Sequence, residues 1–186
     1  MDKVKLNSGS VIYPMPIALV GAVVEGKVNF MPLAWMSRAN MHPPMIAVGM
    51  GKHYTNIGMQ EHNEFSVNIP SMDMLELTDY CGLISGEKQD KSDLFTVFYG
   101  ELAHAPMIEE CPITMTCKLV QTILLPSHKL YIGEIVDIYA SAGVLSDGKP
   151  DITKIRPFVF TMPDNGYWSL GEHIGQGWSS GKNYVR

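Results

Sequence analysis

Apolar and β-branched residues occur along this chain in short runs separated by turn-forming residues. Residues 11–24 form the first run, and Pro14 and Pro16 within it suit an extended entry rather than a helix. Glu25-Gly26-Lys27 reads as a turn and residues 28–37 as a second extended segment, so the two predict a β-hairpin. Beyond the Pro43-Pro44 break, residues 45–50 predict a third strand. Thr55 stands where its hydroxyl would cap a short helix over 56–62, and residues 65–69 return to a strand. Ser71 would cap a helix running to about residue 84, with Asp73 in its first turn suiting the helix dipole. Residues 86–93 are polar and carry Lys88 and Lys91, which predicts an exposed loop. The second half is more plainly β. Residues 113–125 and 129–140 are long extended runs joined through Pro126-Ser127-His128, and 146–150 is a turn by composition. Residues 158–162 predict a last core strand, and a Gly-rich tail from Tyr167 to Arg186 carries Trp168 and Trp178.

This order of elements, roughly six or seven strands with two short helices and no βαβ rhythm, favours an antiparallel barrel over a doubly wound sheet. The fold class expected is mainly β. No repeat or linker divides the chain, so residues 1–186 are expected to form one domain, long enough to build a core without disulfides. A hydrophobic share of 46% and a charged share of 18% fit a compact soluble protein. The formal charge of -5 argues against a nucleic-acid partner, which usually demands a basic face. Thirteen Met residues hint at an adaptable pocket or interface. Residues 1–10 contain no apolar signal core. The longest apolar stretch, 15–24, is about ten residues, roughly half of a bilayer-spanning helix. Cys81, Cys111 and Cys117 contain no CxxC pair and read as reduced thiols, so a cytoplasmic location away from membranes is expected.

Several chemistries lack their motifs. There is no GxxxxGK[ST] loop, no HExxH and no GxSxG elbow. Gly49-Met50-Gly51 opens like a dinucleotide fingerprint, but Tyr54 stands where the third glycine belongs. The six His are scattered without metal-ligand spacing, so no metal is expected. What remains is a group of polar residues at strand ends. Asn29 and Ser37 bracket the second extended segment, with Trp35 between them. Lys52, His53 and Thr55 stand at the start of a short helix, where free amides and the helix dipole suit an anionic phosphate. The plain alternative is that Thr55 only caps the helix and Lys52 is a solvated charge.

A resemblance covers nearly the whole chain. Tyr13-Pro14-Met15-Pro16, Asn29 with Ala34-Trp35, and Pro43-Pro44 come first. Phe65-Ser66-Val67-Asn68-Ile69-Pro70, Asp79-Tyr80 with Ser85-Gly86, and Asp90-Lys91 follow in order. His128 with Ile132-Gly133-Glu134-Ile135-Val136, then Gly148-Lys149-Pro150-Asp151, then the tail from Tyr167 to Lys182 complete the series. Together they resemble the flavin reductase-like split-barrel family, and within it the flavoredoxins. The resemblance implies a split β-barrel that works as a homodimer and holds FMN non-covalently near the subunit interface. Transferred to this chain, it lays Asn29 and Trp35 along the flavin and brings Thr55 and Lys91 to the ribityl phosphate. His128 would lie near the ring or the phosphate, and Phe160 would be an apolar wall. Ser37 and His53 are further transfers. The backbone around Met36 to Ala39 would donate to the flavin's carbonyl edge. Without the resemblance, Trp35 and Phe160 read as core, His128 as a structural histidine, Lys91 as surface charge and Cys81 as a small buried hydrophobe.

No side chain is required as an acid or base, because the flavin itself carries the chemistry. The resemblance leaves two redox readings. In the leading one, NADH or NADPH reduces FMN, which the protein, an FMN reductase, passes on. In the alternative, FMN stays bound and shuttles electrons between redox protein partners. A third reading, a flavin-free binding module, is opposed by Thr55, Lys91 and Trp35.

Overall fold

The computed structural model describes residues 2–7, 14–182 and 184–185. The start of the first predicted run, residues 11–13, lies outside them, as does Tyr13 of the first quoted motif. The described part begins with β1 (Met15–Pro16), β2 (Ala18–Val24), β3 (Lys27–Leu33), β4 (Met36–Asn40) and β5 (Met45–Met50). Helix α1 (Thr55–His62), strand β6 (Glu64–Ile69), a 3₁₀ turn over 72–74 and helix α2 (Leu75–Leu83) follow. Two short strands, β7 (Val97–Phe98) and β8 (Met107–Ile108), precede the long β9 (Ile113–Leu124) and β10 (Lys129–Ala140). The chain ends with β11 (Leu145–Ser146), β12 (Lys149–Pro150), α3 (Ile152–Ile155), β13 (Phe158–Thr161) and β14 (Gly166–Ser169).

One seven-stranded sheet organises the rest, in the order β3-β2-β6-β9-β10-β5-β4, and its neighbouring strands pair antiparallel. Its two edge strands, β3 and β4, are consecutive in sequence and separated only by Ala34 and Trp35. Two residues cannot span a flat seven-stranded sheet, whose strands lie ~4.8 Å apart. The sheet therefore curls until its edges meet near Trp35, which is the geometry of a split barrel. The predicted segment over 28–37 is thus two strands. It breaks at Ala34-Trp35 because the chain must pass from one edge of the sheet to the other.

The interior shows strand periodicity. Ala18, Val20 and Ala22 of β2 point into a core with Met31, Leu33, Val48, Met50, Phe65, Val67, Cys117 and Tyr131. The other face of β2 is also covered: Leu19 packs with Phe30, Cys81, Phe95, Ile108 and Cys111. Burial on both faces explains why β2 reads as an unbroken apolar run. Helix α1 lies directly on this strand, because a Cβ on Gly58 would overlap the carbonyl oxygen of Val23. Only glycine permits that approach.

Smaller sheets complete the molecule. β13 pairs with both β1 and β14, in the order β1-β13-β14, and Tyr167 donates to Asp79 Oδ1 at 2.7 Å, which ties this sheet to α2. The turn expected at 146–150 is a tight hairpin between β11 and β12, with Asp147 and Gly148 both at positive φ. The start of the Gly-rich tail contributes β14, a strand the composition did not suggest. Among the described residues there are three helices rather than two. The expected caps differ as well. Neither Thr55 nor Ser71 makes a side-chain cap: Thr55 is the first helical residue after Tyr54, and the 72–74 turn precedes α2. Among the described residues, no helix is long and apolar enough to cross a membrane.

Candidate functional site

A cavity of ≈ 1250 Å³ opens between the N-terminal end of α1, the C-terminal end of α2 with the 84–87 segment, and the turn joining β9 to β10. Its position follows from the barrel. Strand β3 carries Asn29 to one wall, Gly51 follows the end of β5, and His128 immediately precedes β10.

Asn29 and Thr55 meet at the base. Asn29 is 3% exposed, and its Nδ2 donates to Thr55 Oγ1 at 2.7 Å. The Thr55 hydroxyl therefore serves a buried tertiary bond rather than a helix cap. Asn56, the next residue, uses its Nδ2 to hold the carbonyl of Gly51 at 2.7 Å. Both asparagines leave their side-chain oxygens buried without a protein donor. A buried amide oxygen left without a donor costs ~1–3 kcal/mol, and both belong to residues of the cavity wall. Gly86 is packed against the same amide: a Cβ there would overlap Asn29 Oδ1 and stand 2.7 Å from its Cγ.

Lys91 corrects the expectation of an exposed loop. Residues around it are exposed, but Lys91 is 3% exposed. Its ammonium donates to the carbonyls of Cys81 at 2.7 Å and Phe30 at 3.0 Å, and burial pulls its pKa below the ordinary lysine value. The sequence gives no sign of this burial, since polar neighbours on either side hide it. An ammonium has three N–H donors, and two are committed here, which leaves one for a ligand. The loop is fastened nearby by an ion pair of 2.8 Å between Lys27 and the adjacent Asp90. A smaller hollow of ≈ 260 Å³ beneath it shares Asn29, Tyr54, Gly86 and Lys91 as walls.

The remaining predicted residues divide. His53 and His128 line the cavity. Trp35, at the barrel seam and 45% exposed, stacks on His128 with ring centroids 4.6 Å apart. Burial, His128 and Lys91 together hold the His53 pKa below the ordinary 6.5. Met36 and Ser37 lie on the edge strand β4, paired with Val48 and Ala47, and do not line the cavity. Phe160 lies in the β1-β13-β14 sheet against Tyr167, also away from the cavity. Sequence reasoning missed Asn56 and Gly86 as cavity residues. Asn56 was within reach, as the polar neighbour of Thr55 at a helix start. Cys81 lines the cavity but is buried, with its thiol pushed up to about 11 mainly by that burial, so it is protonated and inert at neutral pH. Among the described residues no group of His, Cys, Asp or Glu is arranged to hold a metal ion.

Lys91 and Thr55 thus give the cavity wall donors suited to an anionic group. Residues 9–157 match the model of the flavin reductase like domain. The chain belongs to the flavin reductase-like family. Flavoredoxin from Methanosarcina acetivorans is 50% identical, with 98% of each chain covered and a TM-score of 0.95. Flavoredoxin of Desulfovibrio vulgaris (Miyazaki F) is 35% identical, covering 97% of this chain and 100% of that one, with a TM-score of 0.91. An uncharacterized protein of Archaeoglobus fulgidus is 29% identical over 150 residues, 79% of this chain and 84% of that protein. An FMN-binding protein from Thermus thermophilus, 23% identical with 95% of this chain and 97% of that one covered, shares the fold at a TM-score of 0.80. The split-barrel fold expected from the sequence is therefore the fold of the family.

Proposed function

We propose that this protein binds FMN non-covalently in the large cavity and exchanges electrons through it. The observation that carries this reading is that Asn29, His53, Thr55, Lys91 and His128 all line one cavity. The phosphate of FMN would offer acceptors to the spare N–H of Lys91 and to the Thr55 hydroxyl. Bound flavin would supply the redox chemistry itself. The chain's residues would hold and shield it. Trp35 and His128 would wall the ring end, and Lys91 would fix the phosphate end by charge and hydrogen bonding.

Two electron sources are favoured by different observations. Identity of 50% to a flavoredoxin over 98% of both chains favours an electron carrier that keeps its FMN and is reduced by a protein partner. The cavity volume of ≈ 1250 Å³, above the usual ~300–1,000 Å³ of ligand pockets, favours room for a nicotinamide beside the flavin, as in an NAD(P)H:flavin oxidoreductase. We adopt the carrier reading, because the likeness spans the whole chain whereas volume alone selects no ligand.

We further propose a homodimer. The outer half of β9 and the following turn expose Val120, Ile123, Leu124 and Leu125, an apolar edge that a second copy would cover. Leu124 and Leu125 also line the cavity, so this interface would run up to the flavin.

The visible spectrum of the purified protein, taken with and without added FMN and then with NADH or NADPH under anaerobic conditions, tests these readings. Bound flavin that stays oxidised with both nicotinamides is expected. Prompt bleaching replaces the carrier with the reductase, and a protein that refuses FMN overturns the flavoprotein reading.

A further inference from the structure

The Gly-rich tail follows a defined course, yet among the described residues it packs on nothing in its own chain. Every described residue from Trp168 onward is exposed, Ile174 at 99% and Trp178 at 100%. Local bonds shape the segment. The amide of Gln176 donates to Ser180 Oγ at 2.8 Å, and the amide of Ser180 donates to the Gln176 carbonyl at 2.9 Å. Inside this turn Trp178 takes a φ of 57°, in the left-handed region that bulky side chains rarely adopt. Gly175, Gly177 and Gly181 stand within three residues and would meet no such penalty. The turn therefore holds a strained tryptophan outward. A buried Trp covers ~150–250 Å² of surface, so one left wholly in water marks a contact that a single chain does not complete.

The cavity mouth has the complementary defect. Ile57, Leu83, Leu124 and Leu125 line it and all four are exposed, Leu83 at 75% and Leu124 at 74%. They come from α1, α2 and the turn after β9, so they form an apolar collar around the opening. The tail leaves both its own apolar residues and this collar bare, so the two do not meet within one chain. Reach permits a meeting between chains. Residues 170–182 span at most ~45 Å, comparable with the width of a domain of this length, whose radius of gyration is ~16 Å. Leu124 and Leu125 also belong to the β9 edge that the proposed homodimer covers, so the collar continues that interface. Under two-fold symmetry each copy gives one tail and receives one.

We propose that the tail of each copy lies across the cavity mouth of the other, with Ile174 and Trp178 seated on the collar of Ile57, Leu83, Leu124 and Leu125. The proposal rests on the homodimer reading and adds what the second copy contributes: a cover for the site, which a single chain leaves open. The contact needs no flavin. It supplements the β9 edge rather than replacing it, since a stable dimer buries ~800 Å² per partner.

Photo-crosslinking in the full chain tests this. A benzophenone amino acid in place of Trp178 couples on irradiation to whatever the tail touches, and at a wholly exposed position it leaves the fold of the chain alone. A product of twice the chain's mass is expected, with the adduct on the segments that hold Leu83 or Leu124-Leu125. An adduct within a single chain, an adduct on another face of the second copy, or no adduct in a protein that sediments as a dimer overturns the proposal and leaves the homodimer standing. Sedimentation as a monomer at every concentration overturns both. The variant I174S/W178S gives an independent reading. Because both side chains are bare in one chain, it should keep the native circular dichroism spectrum while its dimer dissociation constant rises about tenfold or more. An unchanged dissociation constant overturns the tail contact.

Discussion

Gly86 and Asn29 give a prediction that joins packing to binding. Substituting Gly86 with Ala drives a methyl into the Asn29 amide, because the new Cβ would overlap Oδ1, stand 2.7 Å from Cγ and approach Tyr54 Cδ1 to 3.0 Å. The amide is pinned from behind by its 2.7 Å bond to Thr55 Oγ1, so it cannot turn without breaking that bond. Overpacking of this kind costs ~1–3 kcal/mol. N29A alone removes the bond and leaves the Thr55 hydroxyl buried without its partner, which costs ~1–3 kcal/mol. In the double variant the methyl meets no amide, so G86A should cost much less than in the native background. The coupling expected between contacting groups is ~1–2 kcal/mol. Urea unfolding of the flavin-free protein at fixed concentration measures it: with an m-value of ~2 kcal/mol/M, each kcal/mol moves the midpoint by roughly 0.5 M. FMN affinity should fall about tenfold in G86A, because the displaced amide no longer holds the Thr55 hydroxyl in place. Two destabilisations that add to within ~0.5 kcal/mol would refute the reasoning, since the methyl would then be accommodated by the 84–87 segment rather than by Asn29.

Other parts of the molecule yield shorter tests. G133A should lower stability by ~1–3 kcal/mol, since its Cβ would stand 2.5 Å from Phe65 Cζ and 3.1 Å from Cys117 Cβ in the core, and a thermal melt reads this directly. K91M should destabilise by ~2–4 kcal/mol through two carbonyls left without their donor, read by urea unfolding. Because the folded Lys91 pKa lies below 10.5, the unfolded chain binds more protons between the two values. Native stability should therefore gain a rising contribution with pH across that window, and K91M should lack it. Cys81, Cys111 and Cys117 should resist a thiol reagent at pH 7.5 in the folded protein and react together after unfolding, since all three are buried with raised pKa values.

Legibility of the sequence followed the range of the interactions involved. β5, β6, β9 and β10 were read to within a residue or so, because apolar runs bounded by turns are local signals. The break at Ala34-Trp35 was not legible, since nothing local requires it: it arises from the sheet closing on itself, which depends on β3 and β4 finding opposite edges. Thr55 was placed at the start of α1 by a capping argument, yet its hydroxyl answers to Asn29, twenty-six residues earlier. Lys91 was read as exposed from its neighbours, yet it reaches carbonyls on β3 and α2. The resemblance singled out Asn29, Thr55, Lys91, His53 and His128, and the fold brings these five to one cavity. Met36, Ser37 and Phe160 came from the same resemblance and lie elsewhere on the chain, next to the barrel seam and in the small sheet.

Lys91 also decides how a loss of binding must be interpreted. Its ammonium pins β3 and α2 through two donors and offers the third to the cavity, so one substitution removes a structural fastening and a ligand contact at once. Weaker FMN binding by K91M therefore identifies neither role alone. Riboflavin separates them. A loosened wall penalises both flavins equally, because both would use the same ring and ribityl contacts. A lost phosphate contact penalises FMN only. An ammonium-to-phosphate bond is worth ~1.5–3 kcal/mol, so the ratio of FMN to riboflavin affinity should fall by about tenfold to a hundredfold in K91M. An unchanged ratio would make Lys91 a structural lysine. The phosphate would then rest on Thr55 and the other polar groups at the start of α1.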